Sequence, residues 1–156
     1  MDATSLFSDK ELAFLAALVE EDVPFLVVGL AAAALQGAPA VTQDVDLWFR
    51  DLADPRLTGA LQRVGASYSP PTHSTPPLLA GAGMDLFDIV MHMHGLEAFD
   101  HEARQALRVR VGRVDVPVLP LARIIASKKA TGRPKDLSIL PAIEDALRAH
   151  TEQNRS

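Results

Sequence analysis

The chain has 156 residues, no cysteine, and 15 basic against 20 acidic side chains for a formal net charge of −5; 48% of its residues are apolar and 5% aromatic. That length suits one domain with a real core, since a chain of about 150 residues buries roughly 70% of its unfolded surface, and the absence of Cys excludes a disulfide scaffold and any cysteine-ligated zinc or iron–sulfur site. The mild acidity argues against nucleic-acid binding through bulk charge and leaves room for a local basic patch.

The first eleven residues have neither the basic start nor the apolar run of a signal peptide. The longest apolar stretch, Val23 to Leu35, contains Pro24 and Gly29 and falls short of the roughly 20 residues a spanning helix needs. A cytoplasmic protein with no membrane association is expected.

In chain order, Ser8 followed by Glu11 is the signature of a capping box. The helix it opens carries Leu12, Leu15, Ala16 and Val19 on one face and ends at Pro24. Residues 25–28 are all apolar and read as a buried strand. Gly29 turns the chain into a small Ala-rich helix from Leu30 to Gln36, stopped by Gly37 and Pro39. Val45 to Phe49 reads as a second strand. Asp54 and Pro55 begin a helix to about Val64 with Leu57, Ala60, Leu61 and Val64 as its core stripe, and Gly65 closes it.

Ser67 to Gly83 holds four Pro and two Gly and is predicted as a long surface loop. Met84 to Met93 is the third predicted strand, and Glu97 to Leu107 a short helix. Arg108–Val111 and Val114–Leu119 flank Gly112 and Arg113 as a hairpin. Leu121 to Lys129 forms a helix with Gly132 past its end. A last helix follows Asp136, with Pro141 as initiator or kink. The order αβαβαβαββαα, without internal repeat or boundary, reads as mixed α/β or α+β. It is read as a single domain over residues 1–156, with its core at about 8–149 and a disordered tail at 150–156.

The stretch from Phe25 to Phe49 carries the chemistry. Asp44 and Asp46 lie two apart at the start of a strand, so their carboxylates share a face while Val45 and Leu47 point into the core. Two such carboxylates repel unless a cation lies between them or one is protonated. Magnesium is the natural partner, since it takes a few carboxylates and shares its remaining shell with water and phosphate. The structural alternative is a solvated strand end. Gly29, between a buried strand and a helix start, suits phosphate. Asp85 and Asp88 offer a third carboxylate on the next apolar strand; having opposite parity, only one of them can face Asp44 and Asp46. Three carboxylates on neighbouring strands would make a two-metal clamp for in-line phosphoryl chemistry.

With Val28-Gly29-Leu30, then Gln36-Gly37-Ala38-Pro39, then Thr42-Gln43-Asp44-Val45-Asp46, the chain resembles the nucleotidyltransferase superfamily typified by DNA polymerase beta. The resemblance is closest to its small bacterial branch of AbiEii-type and minimal nucleotidyltransferases, and it implies an α+β fold, a mixed β-sheet flanked by helices. The order continues through Asp88, Gly95, Phe99, the hairpin and the run from Lys128 to Asp136, so the match spans about Phe25 to Leu147.

The resemblance implies transfer of a nucleoside monophosphate from a nucleoside triphosphate to an acceptor that is tRNA, a protein or a small molecule, with Mg2+ (or Mn2+) as cofactor. Asp44, Asp46 and Asp88 take the metal and catalytic roles, with Asp85 the runner-up for the third. Gly29, Leu30, Thr42, Lys128, Arg133 and Lys135 take the nucleotide. Three positions depart from the family pattern: Leu30 replaces a Gly or Ser, Gln36 a His and Ala40 an Arg. They support the alternative of a catalytically weak or inactive binding module, or a toxin–antitoxin component with a cognate partner.

Other residues have competing readings. Lys128, Arg133 and Lys135 are either phosphate ligands or cations favoured at a helix C-terminus, with Asp136 pairing locally. His92 and His94 alternate on the strand behind Asp88, as metal ligands or as polar groups at a cleft edge. His73 reads as a solvent-facing loop residue, Trp48 as core, and Tyr68 as a loop aromatic able to stack on a base.

Overall fold

The computed structural model describes residues 6–40 and 42–153. Helix α1 (Asp9–Glu20) begins at the predicted capping box: Glu11 N–H donates to Ser8 Oγ at 3.3 Å, and Ser8 N–H donates to the Glu11 carboxylate at 2.8 Å. Its buried arc is wider than the predicted stripe. Phe14 to Leu18 are all buried, while Leu12 and Val19 are only partly so. The helix packs against both the sheet and a neighbouring helix, so one narrow stripe does not suffice.

Strand β1 (Phe25–Val28) is buried along its whole length. It leads through Gly29 into α2 (Gly29–Leu35) and then to β2 (Val45–Phe49), the strand predicted at those bounds. Helix α3 (Pro55–Arg63) is capped by Asp54, whose side chain accepts from Arg56 N–H at 2.9 Å. β5 (Phe87–Val90), β6 (Leu107–Val111) and β7 (Val114–Val118) complete a mixed five-stranded sheet in the order β5-β2-β1-β7-β6. β2 runs antiparallel to β1 and parallel to β5, and β1 runs parallel to β7. On one sheet face Phe87 meets the ring of Phe14 in α1 edge-on, centroids 5.1 Å apart. On the other, Trp48 meets Phe99 of α4 (Phe99–Ala103) at 5.4 Å. The core thus lies on both faces of the sheet, and Trp48 belongs to it as predicted.

Several boundaries differ from the sequence reading. The predicted loop at 67–83 contains two three-residue strands, β3 (Ser67–Ser69) and β4 (Leu78–Ala80), paired antiparallel. Strands so short carry no readable alternation, and the prolines between them dominate the pattern. Tyr68 lies in β3, partly buried against the core. The third strand is confined to Phe87–Val90: a turn closes from Met84 O to Phe87 N–H at 3.0 Å, and residues 91–94 leave the sheet. α4 is one short turn rather than a helix from 97 to 107.

At the C-terminal side, α5 (Leu121–Thr131) ends at Gly132, in the left-handed conformation at φ +68°. α6 (Pro134–Gln153) starts at Pro134, ahead of Asp136, and Pro141 sits within it. The helix continues through positions 150–153, which the sequence reading assigned to the tail; residues 154–156 lie outside the described residues.

Gln36, a departure from the family pattern, has a structural task. It is 6% exposed. Its Nε2 donates to Ala32 O at 3.0 Å and Leu119 O at 2.8 Å, and its Oε1 accepts from Leu121 N–H at 3.2 Å. Pro120, at the N-cap of α5, provides no side-chain cap, so Gln36 satisfies an otherwise orphaned helix donor. This side chain ties the end of α2 to the junction of β7 and α5. Gln36→Ala is expected to cost about 2–3 kcal/mol, because buried groups lose their partners, measured as a lower denaturant midpoint at unchanged slope.

Candidate active site

The parallel register of β2 and β5 pairs Asp46 with Asp88 and Trp48 with Val90. Side chains opposite each other in register share a sheet face, so Asp46 and Asp88 stand side by side. Asp85 lies in the turn before β5, outside the paired register. Asp44 is exposed just before β2. Thr42 fixes its backbone: Thr42 Oγ1 donates to Asp44 O at 2.7 Å, and Asp44 N–H lies 3.2 Å from Thr42 Oγ1. Thr42 lines a small apolar pocket beside Ala40 and Leu86 rather than the cleft at Asp46. In this structure it positions the loop that carries Asp44.

Gly29 explains itself by proximity. Its φ is +68°, and a Cβ there would sit 2.9 Å from Asp46 Oδ2. A side chain would be strained and would also push the carboxylate aside. Leu30 is partly buried as the second residue of α2.

Asp46 opens into a cleft of about 370 Å3 with Gly29, His92, His94, Lys128 and Arg133 among its walls. The opposite wall from the sheet belongs to α5 and α6, where Asp136 is the hub. It is 1% exposed and takes Lys128 Nζ at 3.1 Å, Arg133 Nε at 2.7 Å and Arg133 Nη2 at 3.2 Å. Sequence reasoning anticipated a local pairing of Asp136 but not its burial between two cations from either side of Gly132. The signal was the spacing of three from Arg133 and eight from Lys128 across a helix break. Lys135 is exposed, and its charge acts on Asp46. His92 and His94 meet edge to face with centroids 5.0 Å apart, both at the cleft. His73 is exposed in its loop.

The electrostatics follow this geometry. Burial is the main cause that pushes the Asp46 carboxyl above the ordinary range; Asp88 and Asp44 add to the rise, while Lys128 and Lys135 oppose it. Asp88 is also raised, by desolvation and then by Asp44. Both shifts thus follow first from withdrawal from water and second from the neighbouring carboxylates. Among the described residues no three His, Asp or Glu side chains form a ready-made metal cage. The donor chemistry nevertheless fits a small divalent ion: magnesium is typically held by one or two carboxylates plus water and substrate phosphate, not by an all-protein cage.

No protein-family profile matches the chain, and no curated protein matches it in sequence. Solved structures do match in shape. ANT(2″)-Ia in complex with adenylyl-2″-tobramycin superimposes with a TM-score of 0.57 at 16% identity, over 92% of this chain and 95% of that one. The solution structure of the antibiotic-resistance factor ANT(2″)-Ia gives 0.57 at 15% identity, over 99% and 95%. An antigenic nucleotidyltransferase-like protein from Paracoccidioides brasiliensis gives 0.52 at 15% identity, over 92% and 78%. The fold is that of a nucleotidyltransferase.

In this nucleotidyltransferase fold, Asp46 and Asp136 shift in opposite directions and make a paired test. A carboxyl raised on folding holds its proton more tightly when folded, so Asp46 costs stability as the pH rises past its ordinary 3.8. Asp136 is lowered to about 2, chiefly by its hydrogen bonds from Arg133, against burial and with help from Lys128. Its contribution is full above 3.8 and is lost as the pH falls toward 2. Asp46→Asn is therefore expected to melt at or above the parent at neutral pH, with the advantage fading as the pH falls toward 3.8 and absent below it. Asp136→Asn should lose about 3–5 kcal/mol at neutral pH, since it strands charges partly withdrawn from water, and the loss should shrink in the acid range. Thermal unfolding followed by circular dichroism across pH checks both signs.

Proposed function

We propose that the chain works as a single nucleotidyltransferase domain, moving a nucleoside monophosphate from a nucleoside triphosphate to an acceptor hydroxyl with Mg2+ or Mn2+ as cofactor. The observation that carries this reading is the register that seats Asp46 beside Asp88 over the side-chain-free surface of Gly29. In this reading Asp44, Asp46 and Asp88 hold the metal. A bound divalent ion supplies charge neutralisation at the transferring phosphate and acidifies an acceptor hydroxyl.

The protein's own residues do the rest. Asp88, more open to solvent than Asp46, accepts the acceptor's proton directly or through water. Lys128 and Arg133, held in place by Asp136, present cations to the phosphates, and Lys135 adds charge from the rim. The likeness to ANT(2″)-Ia, seen with an adenylyl group joined to tobramycin, supports a small hydroxyl-bearing acceptor over tRNA or protein.

A second reading is favoured by two observations: Leu30 at the turn where a backbone donor or hydroxyl is expected, and cations already engaged by Asp136. Here the chain is a catalytically silent module of the AbiEii-like branch, paired with a cognate toxin or antitoxin. The branch assignment rests on the run from Lys128 to Asp136 following Asp44, Asp46 and Asp88 in order.

Incubation with each α-labelled nucleoside triphosphate, Mg2+ or Mn2+, and a panel of polyhydroxyl small molecules, bulk tRNA and proteins tests the choice. Metal-dependent label transfer is expected, falling on the order of 100-fold in Asp46→Asn and Asp88→Asn, the scale of losing one main electrostatic stabiliser, and persisting in Asp85→Asn. Loss in Asp85→Asn with activity retained in Asp88→Asn would reassign the third carboxylate. No transfer to any acceptor would move the weight to the silent module. For the turn itself, Leu30→Ser is expected to tighten triphosphate binding about tenfold through one charge-assisted hydrogen bond, at unchanged melting temperature. Destabilisation without tighter binding would place Leu30 in the packing.

A further inference from the structure

A cavity of about 650 Å3 lies away from the carboxylates. It lies at the other end of the sheet, with Phe25 and Leu26 of β1 in its wall. β1 runs from this cavity to Gly29, about 10 Å away over three extended steps. The cavity has a backbone cause. β1 and β7 pair only at Val27 and Val118, where Leu119 N–H also donates to Val27 O at 3.0 Å. One residue earlier in β7 is Pro117, which has no N–H to continue the ladder toward β1, and Pro117 lines the cavity.

Its charge is unusual for an acidic chain. Arg50, Arg104 and Arg108 all line it. Elsewhere the described arginines are engaged: Arg56 by Asp54, Arg63 and Arg113 by Glu20, Arg110 by Asp115, Arg123 by Glu102, Arg133 by Asp136 and Arg148 by Asp145. Arg104 and Arg108 alone have no ion-pair partner among the described residues, and Arg50 has only a loose one, Asp100 at 3.7 Å. The cavity's other carboxylate, Asp22, acts on Arg56. The two uncompensated arginines of the described chain thus meet at one cavity whose wall also carries the partly exposed apolar surfaces of Val19, Pro24 and Phe99.

We propose that this cavity is a second binding site, separate from the carboxylate cleft, for an organic phosphate with an aromatic or apolar body, a nucleoside monophosphate being the simplest example. Guanidinium forks match phosphate oxygens in pairs, and the apolar wall takes the body. The volume lies in the range of ordinary ligand pockets, about 300–1,000 Å3. No divalent ion is required here, which separates this site from the one at Asp46.

The test is calorimetric titration of the full chain with AMP, UMP and inorganic phosphate, in EDTA, with thermal unfolding of every variant. Saturable nucleoside monophosphate binding is expected, unchanged in Asp46→Asn and weaker by about tenfold or more in R104A/R108A, the effect of one or two lost charge-assisted hydrogen bonds. R104K/R108K, which keeps the charge without the fork, should fall between. Both arginines are exposed, so these variants should melt with the parent. Four results would overturn the proposal. They are no saturable binding, affinity unchanged in R104A/R108A, loss of binding in Asp46→Asn, or inorganic phosphate binding as tightly as AMP.

Discussion

Two carboxylates forced together on adjacent parallel strands set the terms for the rest of this structure. Asp46 and Asp88 face each other because Val45, Leu47 and Phe87 are buried on the opposite sheet face. Slipping the register by one residue would relieve the repulsion but would turn those apolar side chains away from the face on which they pack. Each buried Leu or Phe contributes about 1.5–3 kcal/mol, more than the repulsion of two carboxylates that can share a proton or an ion. Hydrophobic burial therefore holds the charge cluster in place. Gly29 completes the arrangement, since any side chain there would occupy the space Asp46 Oδ2 needs.

The opposing wall answers that negative charge with a preorganised positive one. Lys128 and Arg133 lie on opposite sides of a helix break, and the buried Asp136 draws both toward one point. A buried ion pair of this kind contributes little net stability against an apolar substitute, but breaking it is costly. Its use is geometric. Two cations and one anion leave a net positive wall facing Asp46, with side chains already fixed, so an arriving phosphate would spend less on ordering them. Gln36 does the same for the backbone, holding the end of α2 against the start of α5.

Much of this was legible in the sequence. The Ser8–Glu11 box, the all-apolar 25–28 run and the alternation of Val45, Asp46 and Leu47 are local signals, and the structure follows them. Asp88 over Asp85 was a parity problem that only the pairing of β5 with β2 resolves. Three-residue strands at 67–69 and 78–80 have too few positions to show a period, and their order comes from pairing with each other. Gln36 looked like a missing nucleotide ligand because its partners, Leu119 O and Leu121 N–H, lie more than eighty residues away. Thr42, expected at the nucleotide, bonds through its hydroxyl to the backbone of Asp44, two residues on.

The same strand that delivers the carboxylate site also produces the arginine-lined cavity, and one feature of β7 separates them. At Val118 the β1–β7 ladder is intact, and the chain beyond it is held by Leu119 and Gln36. At Pro117 the ladder stops. The Gly29 end of β1 is therefore the braced end, suited to holding reacting groups within a fraction of an ångström. The Phe25 end has no ladder bond to β7 and is lined by side chains that need not hold a fixed geometry. A site for chemistry and a site for simple binding have different demands on rigidity, and in the reading proposed above the position of a single proline in an inner strand separates the two along β1.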